Sequence, residues 1–388
     1  MTKGVYEIVL LGALDEKVRG VLQSTLSTLL QEFKLSLGHQ VILSDANSFN
    51  EHRTGIATVG LFFGGNPEAD SQVVDKLVKF SIPTIPVLEA GMKFEDSVPL
   101  LLAGTNGIVV ADMDVDLVNP VTAALECLGL LREQRRVFVS YRRCESRAAA
   151  VQLHDVLSGV GYDVFLDTHD IRRGDQFQDE LWHRLCDSDV LVMLDTPEYF
   201  ERKWTRMELA KAQAKEIHIL RIVWPDHKPT RKTDVGQAIF LEKNELLGPD
   251  GPIADSTVDQ ITLAIEVLRS NSIAARYLSI TGKLRAEAKK VDATVHAIGV
   301  NRSIGIRLES GKQIWAYPVV GIPSAATLND IVEKSNLARQ AGHPVLVYDH
   351  VGIRSKWAKH IDWLNEQIGS VDAIKVSQAA WDLAELEG

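Results

Sequence analysis

The stretch that decides the fold is RRVFVSYRR (135–143), continued by GYDVFLDTHDIRRGDQFQDELWHRLCDSDVLVMLDTPEYF (161–200), KWTRMELAKA (203–212) and HILRIVWP (218–225). Val137–Tyr141 is a β-branched and aromatic run, the composition of a strand. Charge breaks it at Arg142–Ser146. From Arg147 to Val160, the residues Ala150, Val151, Leu153, Val156 and Leu157 recur at helical spacing, and Gly159 and Gly161 close that helix. Asp163–Leu166 predicts a second strand, and Asp167–Gln176 a polar loop containing Gly174. Phe177–Cys186 predicts a helix, Val190–Leu194 a strand buried on both faces, Lys203–Lys215 a helix, and His218–Val223 a fourth strand. Strands alternating with helices imply a parallel sheet covered on both sides. Ligands of such sheets bind beyond the carboxyl ends of the strands. Arg142–Arg143, the polar loop, and the segment leading to Trp204 and Glu208 all fall there. Trp204 and Glu208 are four apart, so they share one helix face.

Four motifs stand in order along this stretch: SYRR (140–143), FLD followed by a loop with RRGD (165–175), SDVLVMLDTPEY (188–199) and W-x-x-x-E (204–208). Together they resemble a TIR domain (Toll/interleukin-1 receptor type) over about a third of the chain. The fold class implied is α/β: a flavodoxin-like TIR domain with a parallel sheet, preceded by a second α/β unit and followed by a small α+β domain. Enzymatic TIR domains cleave NAD⁺ to nicotinamide and ADP-ribose or a cyclic form, and many adaptor TIR domains lack the glutamate that stands here at Glu208. By that resemblance Glu208 is the catalytic carboxylate and Trp204 stacks near the nicotinamide. Arg142 and Arg143 help to hold the ribose and phosphates, for which guanidinium forks are suited. Phe177 lines the pocket. The loop 167–176 corresponds to a family loop that packs against the next subunit. NAD⁺ is then a substrate, and no cofactor is expected.

The chemistry suits these residue types. NAD⁺ carries a cationic leaving group, so nicotinamide departure needs no general acid. The task is to stabilise an oxocarbenium-like ribosyl transition state, which a nearby carboxylate does electrostatically. Read without the resemblance, each residue has a plainer role. Trp204 covers the core, Glu208 pairs with Lys211 on the helix surface, the two arginines are solvated charge, and Phe177 is core. Arg172 and Arg173 read as loop solvation or subunit contact.

With 388 residues the chain is long enough for two or three domains. The expected division is 1–132, a non-catalytic flavodoxin-like unit for sensing or assembly; 133–272, the TIR domain; and 273–388, an α+β domain. A net charge of −10 and a pI near 5.6 argue against a general nucleic-acid or anionic-membrane binder. The three cysteines, Cys127, Cys144 and Cys186, have no metal-ligand or disulfide spacing, which fits a reducing compartment. The N-terminus lacks a usable signal-peptide core, and no run of about eighteen apolar residues predicts a membrane span. The expectation is a cytoplasmic, prokaryotic protein acting in immunity or signalling, as a homo-oligomer through TIR–TIR contacts or with another TIR or signalling protein. Rival readings are a non-enzymatic TIR scaffold and a nucleotide-signal receptor.

Outside the central stretch, the first third repeats the same element order, with strands at Tyr6–Leu11, Val41–Leu43, Ile56–Phe63, Thr84–Leu88 and Gly107–Val110. It lacks W-x-x-x-E, a G-x-G-x-x-G turn and a P-loop. Gly64-Gly65 reads as a tight turn, and Asp112, Asp114 and Asp116 as turn carboxylates rather than a calcium loop. In the last third, Asp255–Ser270 predicts a helix and Lys283–Val291 a charged helix or linker. Thr294–Ile298, Ser303–Leu308, Gln313–Tyr317 and Pro344–Tyr348 predict strands, and Leu328–Gln340, Lys356–Gln367 and Ala379–Leu386 helices. His343, Asp349, His350 and His360 lie close in sequence but match no metal-site pattern.

Overall fold

The computed structural model describes residues 5–50, 55–105, 107–131, 134–168, 175–199, 210, 212, 215–228, 236–338 and 342–387. Its strands form three five-stranded sheets. The first contains β1 (Tyr6–Gly12), β2 (Val41–Asp45), β3 (Ala57–Phe63), β4 (Thr84–Glu89) and β5 (Ile108–Val110), in the order β2-β1-β3-β4-β5, all parallel. The helices of this segment are α1 (Glu16–Gln31), α2 (Ser71–Lys79), the single turn α3 (Phe94–Ser97) and α4 (Val118–Cys127).

The second sheet repeats that topology with the central stretch. Its strands are β6 (Arg136–Tyr141), β7 (Asp163–Thr168), β8 (Val190–Asp195), β9 (His218–Val223) and β10 (Gln237–Phe240). Their order is β7-β6-β8-β9-β10, again all parallel. This is the flavodoxin-like arrangement, in which the chain runs outward from the first strand and then returns across it. Helix α5 (Arg143–Gly159) covers one face with α7 (Asp255–Lys289), and α6 (Asp175–Asp187) lies on the other. Val137, Val139 and Tyr141 pack with Ala149, Leu153 and Leu157, and with Val258, Ile261 and Ile265. The alternate residue Phe138 packs with Leu181, Trp182 and Leu185. Successive strand side chains point to opposite faces, and both faces are dry, which is why Val137–Tyr141 and Val190–Leu194 are apolar at every position but Ser140.

The third sheet is mixed: β11 (Thr294–Ile298), β12 (Ile304–Arg307), β13 (Gln313–Val319), β14 (His343–Tyr348) and β15 (Asp372–Lys375), in sequential order. The β11–β12 and β12–β13 pairs are antiparallel, and the other two parallel. Helices α8 (Ala325–Leu337), α9 (Ser355–Gln367) and α10 (Ala379–Glu387) complete this segment.

Two expectations are corrected. The helix expected to stop at Ser270 continues to Lys289. Ile273, Tyr277, Ile280, Leu284 and Ala288, at spacings of three and four, are all buried, so burial carries the helix through a polar run. β10 and β15 form where no strand was expected. Each has four residues and sits at a sheet edge, with only one neighbour to satisfy.

By its contacts the chain divides into two units. One holds the second sheet, residues Leu131–Arg276 with Val351–Ser355. The other joins Met1–Leu130 to Tyr277–His350 and Lys356–Gly388. Polar contacts tie the first of these three segments to the second. Lys334 pairs with Glu126, Arg302 donates to the Cys127 carbonyl, and Arg285 Nε donates to Ser81 Oγ at 3.1 Å. Among the described residues, no helix is long and apolar enough to cross a membrane.

Candidate functional site

The topological switch point of the second sheet lies between the carboxyl ends of β6 and β8, because β7 and β8 leave β6 on opposite sides. After β6 the chain turns directly into α5, with Arg142 at the N-cap position. The first turn of α5 is irregular. Ser146 leaves helical geometry (φ −148°), while its backbone N–H and its hydroxyl both donate to the Arg142 carbonyl, at 3.0 and 3.3 Å. This turn sets Arg142 and Glu145 side by side, with Arg142 Nη1 3.7 Å from Glu145 Oε2.

After β8 comes Asp195-Thr196-Pro197-Glu198-Tyr199. Glu198 reaches across the switch point and pairs with Arg142 Nη1. Thr196, fully buried, donates its hydroxyl to Glu145 Oε2 at 2.5 Å. Tyr199 donates to Ser140 Oγ at 2.6 Å. The ends of β6 and β8 are therefore tied by three side-chain bridges. Burial opposes the Arg142 charge, but Cys144, Glu145 and Glu198 outweigh it and hold the guanidinium protonated, its pKa raised.

Behind this rim, Asp195 is fully buried. Its Oδ2 accepts from Arg221 Nη2 at 2.9 Å and Nε at 3.2 Å, and its Oδ1 lies 3.1 Å from His227 Nε2. A carboxylate is tolerable at that depth because the Arg221 guanidinium pairs with it and hydrogen bonds occupy both of its oxygens. The loop beneath α5 packs closely. Gly251 (φ +105°) sits where a Cβ would come within 2.6 Å of the Ala149 backbone nitrogen, so glycine is required by both conformation and space.

Of the residues singled out in the sequence, Arg142 and Arg143 stand at the switch point, Arg142 ion-paired and Arg143 exposed. Phe177 falls in the first turn of α6, but its side chain lies outside the described residues. Trp204, Glu208, Lys211, Arg172 and Arg173 also lie outside the described residues. Sequence reading missed Glu145, Asp195, Thr196, Glu198, Arg221 and His227. The quoted DTPEY run contained three of them, but no spacing rule joins Glu198 to Arg142 or Asp195 to Arg221.

Cys144 is exposed beside this rim, whereas Cys127 and Cys186 are buried. Burial pushes the Cys127 thiol up to about 11. Iodoacetamide at neutral pH is expected to modify Cys144 in the native protein and to spare the other two, because the thiolate is the nucleophile. Peptide mass spectrometry reads the sites, and fast native labelling of Cys127 would contradict its burial.

At the corresponding edge of the first sheet, the described residues bond to one another directly. Ala13 N donates to the Phe63 carbonyl at 2.9 Å across the switch point, and Gly12 N donates to Asp70 Oδ2 at 2.9 Å. Asp15 caps α1 through the Val18 N–H at 2.8 Å. Gly64 and Gly65 donate to the Val87 and Ser97 carbonyls, so they serve a turn. Asp112 and Asp116 accept from the backbone of their own turn, and Asp114 pairs with Lys17. The histidines of the last third disperse. His343 pairs with Asp372, His350 Nδ1 lies 3.3 Å from Ser377 Oγ, and His360 stacks on Trp363 with Trp357 tilted against it. No metal-ligating group of three occurs among the described residues.

Residues 137–244 match the TIR domain family. No curated protein matches the chain significantly. The solved structure of tagatose-6-phosphate ketose/aldose isomerase from Escherichia coli is similar at 12% identity over 72% of this chain and 83% of that one. Its TM-score of 0.20 is too low to carry an argument.

Proposed function

Because the chain is a TIR-domain protein through residues 137–244, we propose that it is an NAD⁺ glycohydrolase that releases nicotinamide and ADP-ribose or a cyclic form. The observation that carries this reading is the W-x-x-x-E pair, Trp204 and Glu208, within a TIR-domain match that includes both residues. The family contains both NAD⁺-cleaving enzymes and scaffolds, and it is the scaffolds that commonly lack the glutamate.

In this reading NAD⁺ lies at the carboxyl edge of the second sheet. The bond from C1′ of the ribose to the pyridinium nitrogen breaks, and nicotinamide leaves neutral, taking the bonding pair. Positive charge develops on C1′ and the ring oxygen, and the Glu208 carboxylate stabilises it. Water, or a nucleophilic atom elsewhere in the same ADP-ribose, then attacks C1′. The proton from water passes to solvent, and the product is linear or cyclic accordingly. TIR domains self-associate, and activity is expected to need assembly of several copies, in the cytoplasm, as an arm of prokaryotic immune signalling.

The test is incubation of the full chain with NAD⁺ over a range of protein concentrations, with a crowding agent in parallel, and chromatography of the products. Nicotinamide is expected in a yield that rises faster than linearly with protein, paired with ADP-ribose or its cyclic form. Intact NAD⁺ under every condition, with capture of a second TIR protein instead, would favour the scaffold.

A further inference from the structure

Arg142 is engaged from two sides. Glu198 pairs with its Nη1, and Glu145 Oε2 lies 3.7 Å from the same atom. One guanidinium thus faces two carboxylates, and the three side chains carry a formal charge of −1. Among the described residues of this rim, Arg143, the exposed neighbour, brings the sum only to zero. A phosphate arriving here meets an arginine already occupied and two like charges at close range. At this range near a protein surface, repulsion between like charges is strong enough to decide which ligand group is accepted.

Hydroxyls meet the opposite situation. An ionised carboxylate only accepts hydrogen bonds, and it has about four lone-pair sites. Here each carboxylate is anchored but not filled. Glu145 is held by the buried Thr196 hydroxyl at 2.5 Å, and Glu198 by Arg142, with half of its side chain exposed (50%). Anchoring of this kind fixes acceptor positions before the ligand arrives, so little ordering is left to do on binding. In open α/β sheets an acidic side chain near a strand end commonly takes ribose hydroxyls, whereas an unpaired arginine takes a phosphate.

We infer that Glu145 and Glu198, oriented by Arg142, are the specificity-determining residues that recognise a ribose diol at this switch point. Arg142 is then a positioning residue for the two carboxylates, not the grip on a phosphate that the family resemblance implies. The inference rests on reading the crevice as a nucleotide site.

The experiment is isothermal titration of the full chain and of Glu198→Gln with two probes, ADP-ribose and inorganic pyrophosphate. Glutamine keeps the size of the side chain and trades an acceptor for a donor. Losing a charge-assisted hydrogen bond is expected to weaken ADP-ribose about tenfold, while pyrophosphate, which has no hydroxyl donors, does not weaken. Glu145→Gln serves as the second variant and is expected to shift the two probes in the same directions. Tighter ADP-ribose binding in Glu198→Gln would identify a phosphate subsite that Glu198 obstructs, and the inference would be overturned. Unchanged ADP-ribose binding, equal losses for both probes, or a wild type that binds no ADP-ribose would each overturn it too. A wild type that binds ADP-ribose, loses it in Glu198→Gln and yet cleaves no NAD⁺ would leave the inference standing and remove the glycohydrolase reading.

Discussion

Glu208→Ala is expected to lower the rate of NAD⁺ cleavage by a hundredfold or more. Removing one preorganised electrostatic contact to a transition state commonly costs about 10²–10³ in rate. An oxocarbenium-like ribose has few other sources of stabilisation once no acid is needed for the leaving group. Glu208→Gln, which keeps the shape and discards the charge, is expected to fall nearly as far. The measurement is nicotinamide release at saturating NAD⁺, accompanied by circular dichroism and assembly state for each variant. If a folded, assembling Glu208→Ala variant turned over at the wild-type rate, the carboxylate would not be the catalytic group. If only Glu208→Gln kept its rate, hydrogen bonding rather than charge would be its contribution.

Asp195→Ala should produce a large loss of stability in the unit built on the second sheet. It removes the carboxylate that accepts both Arg221 nitrogens and leaves a guanidinium that is itself 1% exposed. Breaking a buried ion pair from one side typically costs about 3–5 kcal/mol, mostly the penalty on the charge left behind. For a unit of this size that corresponds to a drop in Tm of roughly 6–20 °C. The double variant Asp195→Leu with Arg221→Met, which removes both charges and fills the space, should recover most of it. Thermal unfolding of the full chain, followed by tryptophan fluorescence, tests both statements. A shift below about 2 °C for the single variant would mean that Asp195 is not carrying a compensated charge. Because Asp195 directly precedes Thr196, the same variant should also loosen the support of Glu145 at the crevice.

The fold was legible where burial on both sides of a strand leaves a plain chemical trace. Val137–Tyr141 and Val190–Leu194 are apolar at every position but Ser140 because helices cover both faces, and no surface strand would tolerate that. Their order among helices then implied the parallel sheet and placed its carboxyl edge, where Arg142 and Arg143 stand. The strands that escaped notice, Gln237–Phe240 and Asp372–Lys375, are short edges stabilised by one neighbour, and such pairing leaves almost no mark on composition. The long helix escaped for a related reason. Its middle, around Asn271 and Ser272, carries polar residues, yet Ser272 is buried and donates to the Glu216 carbonyl at 3.3 Å.

Within the site, residue types were legible and pairings were not. Arg142 stood out by its place after a strand. Its partner Glu198 belongs to a loop after another strand, and only the return of the chain across β6 brings the two together. Asp195 reads as the end of an apolar run, and nothing local announces that Arg221 and His227 will close on it. These are consequences of topology, and spacing along a chain does not contain them.

The arrangement of the two units also sets a schedule for synthesis. Residues Met1–Leu130 leave the ribosome first, but Glu126, the Cys127 carbonyl and Ser81 must wait for Lys334, Arg302 and Arg285. The whole second sheet is translated in between. At about 5–20 residues per second, the delay is on the order of ten seconds or more. The nascent N-terminal segment has all five strands of its own sheet from the outset, but it spends that interval without its C-terminal partner surfaces.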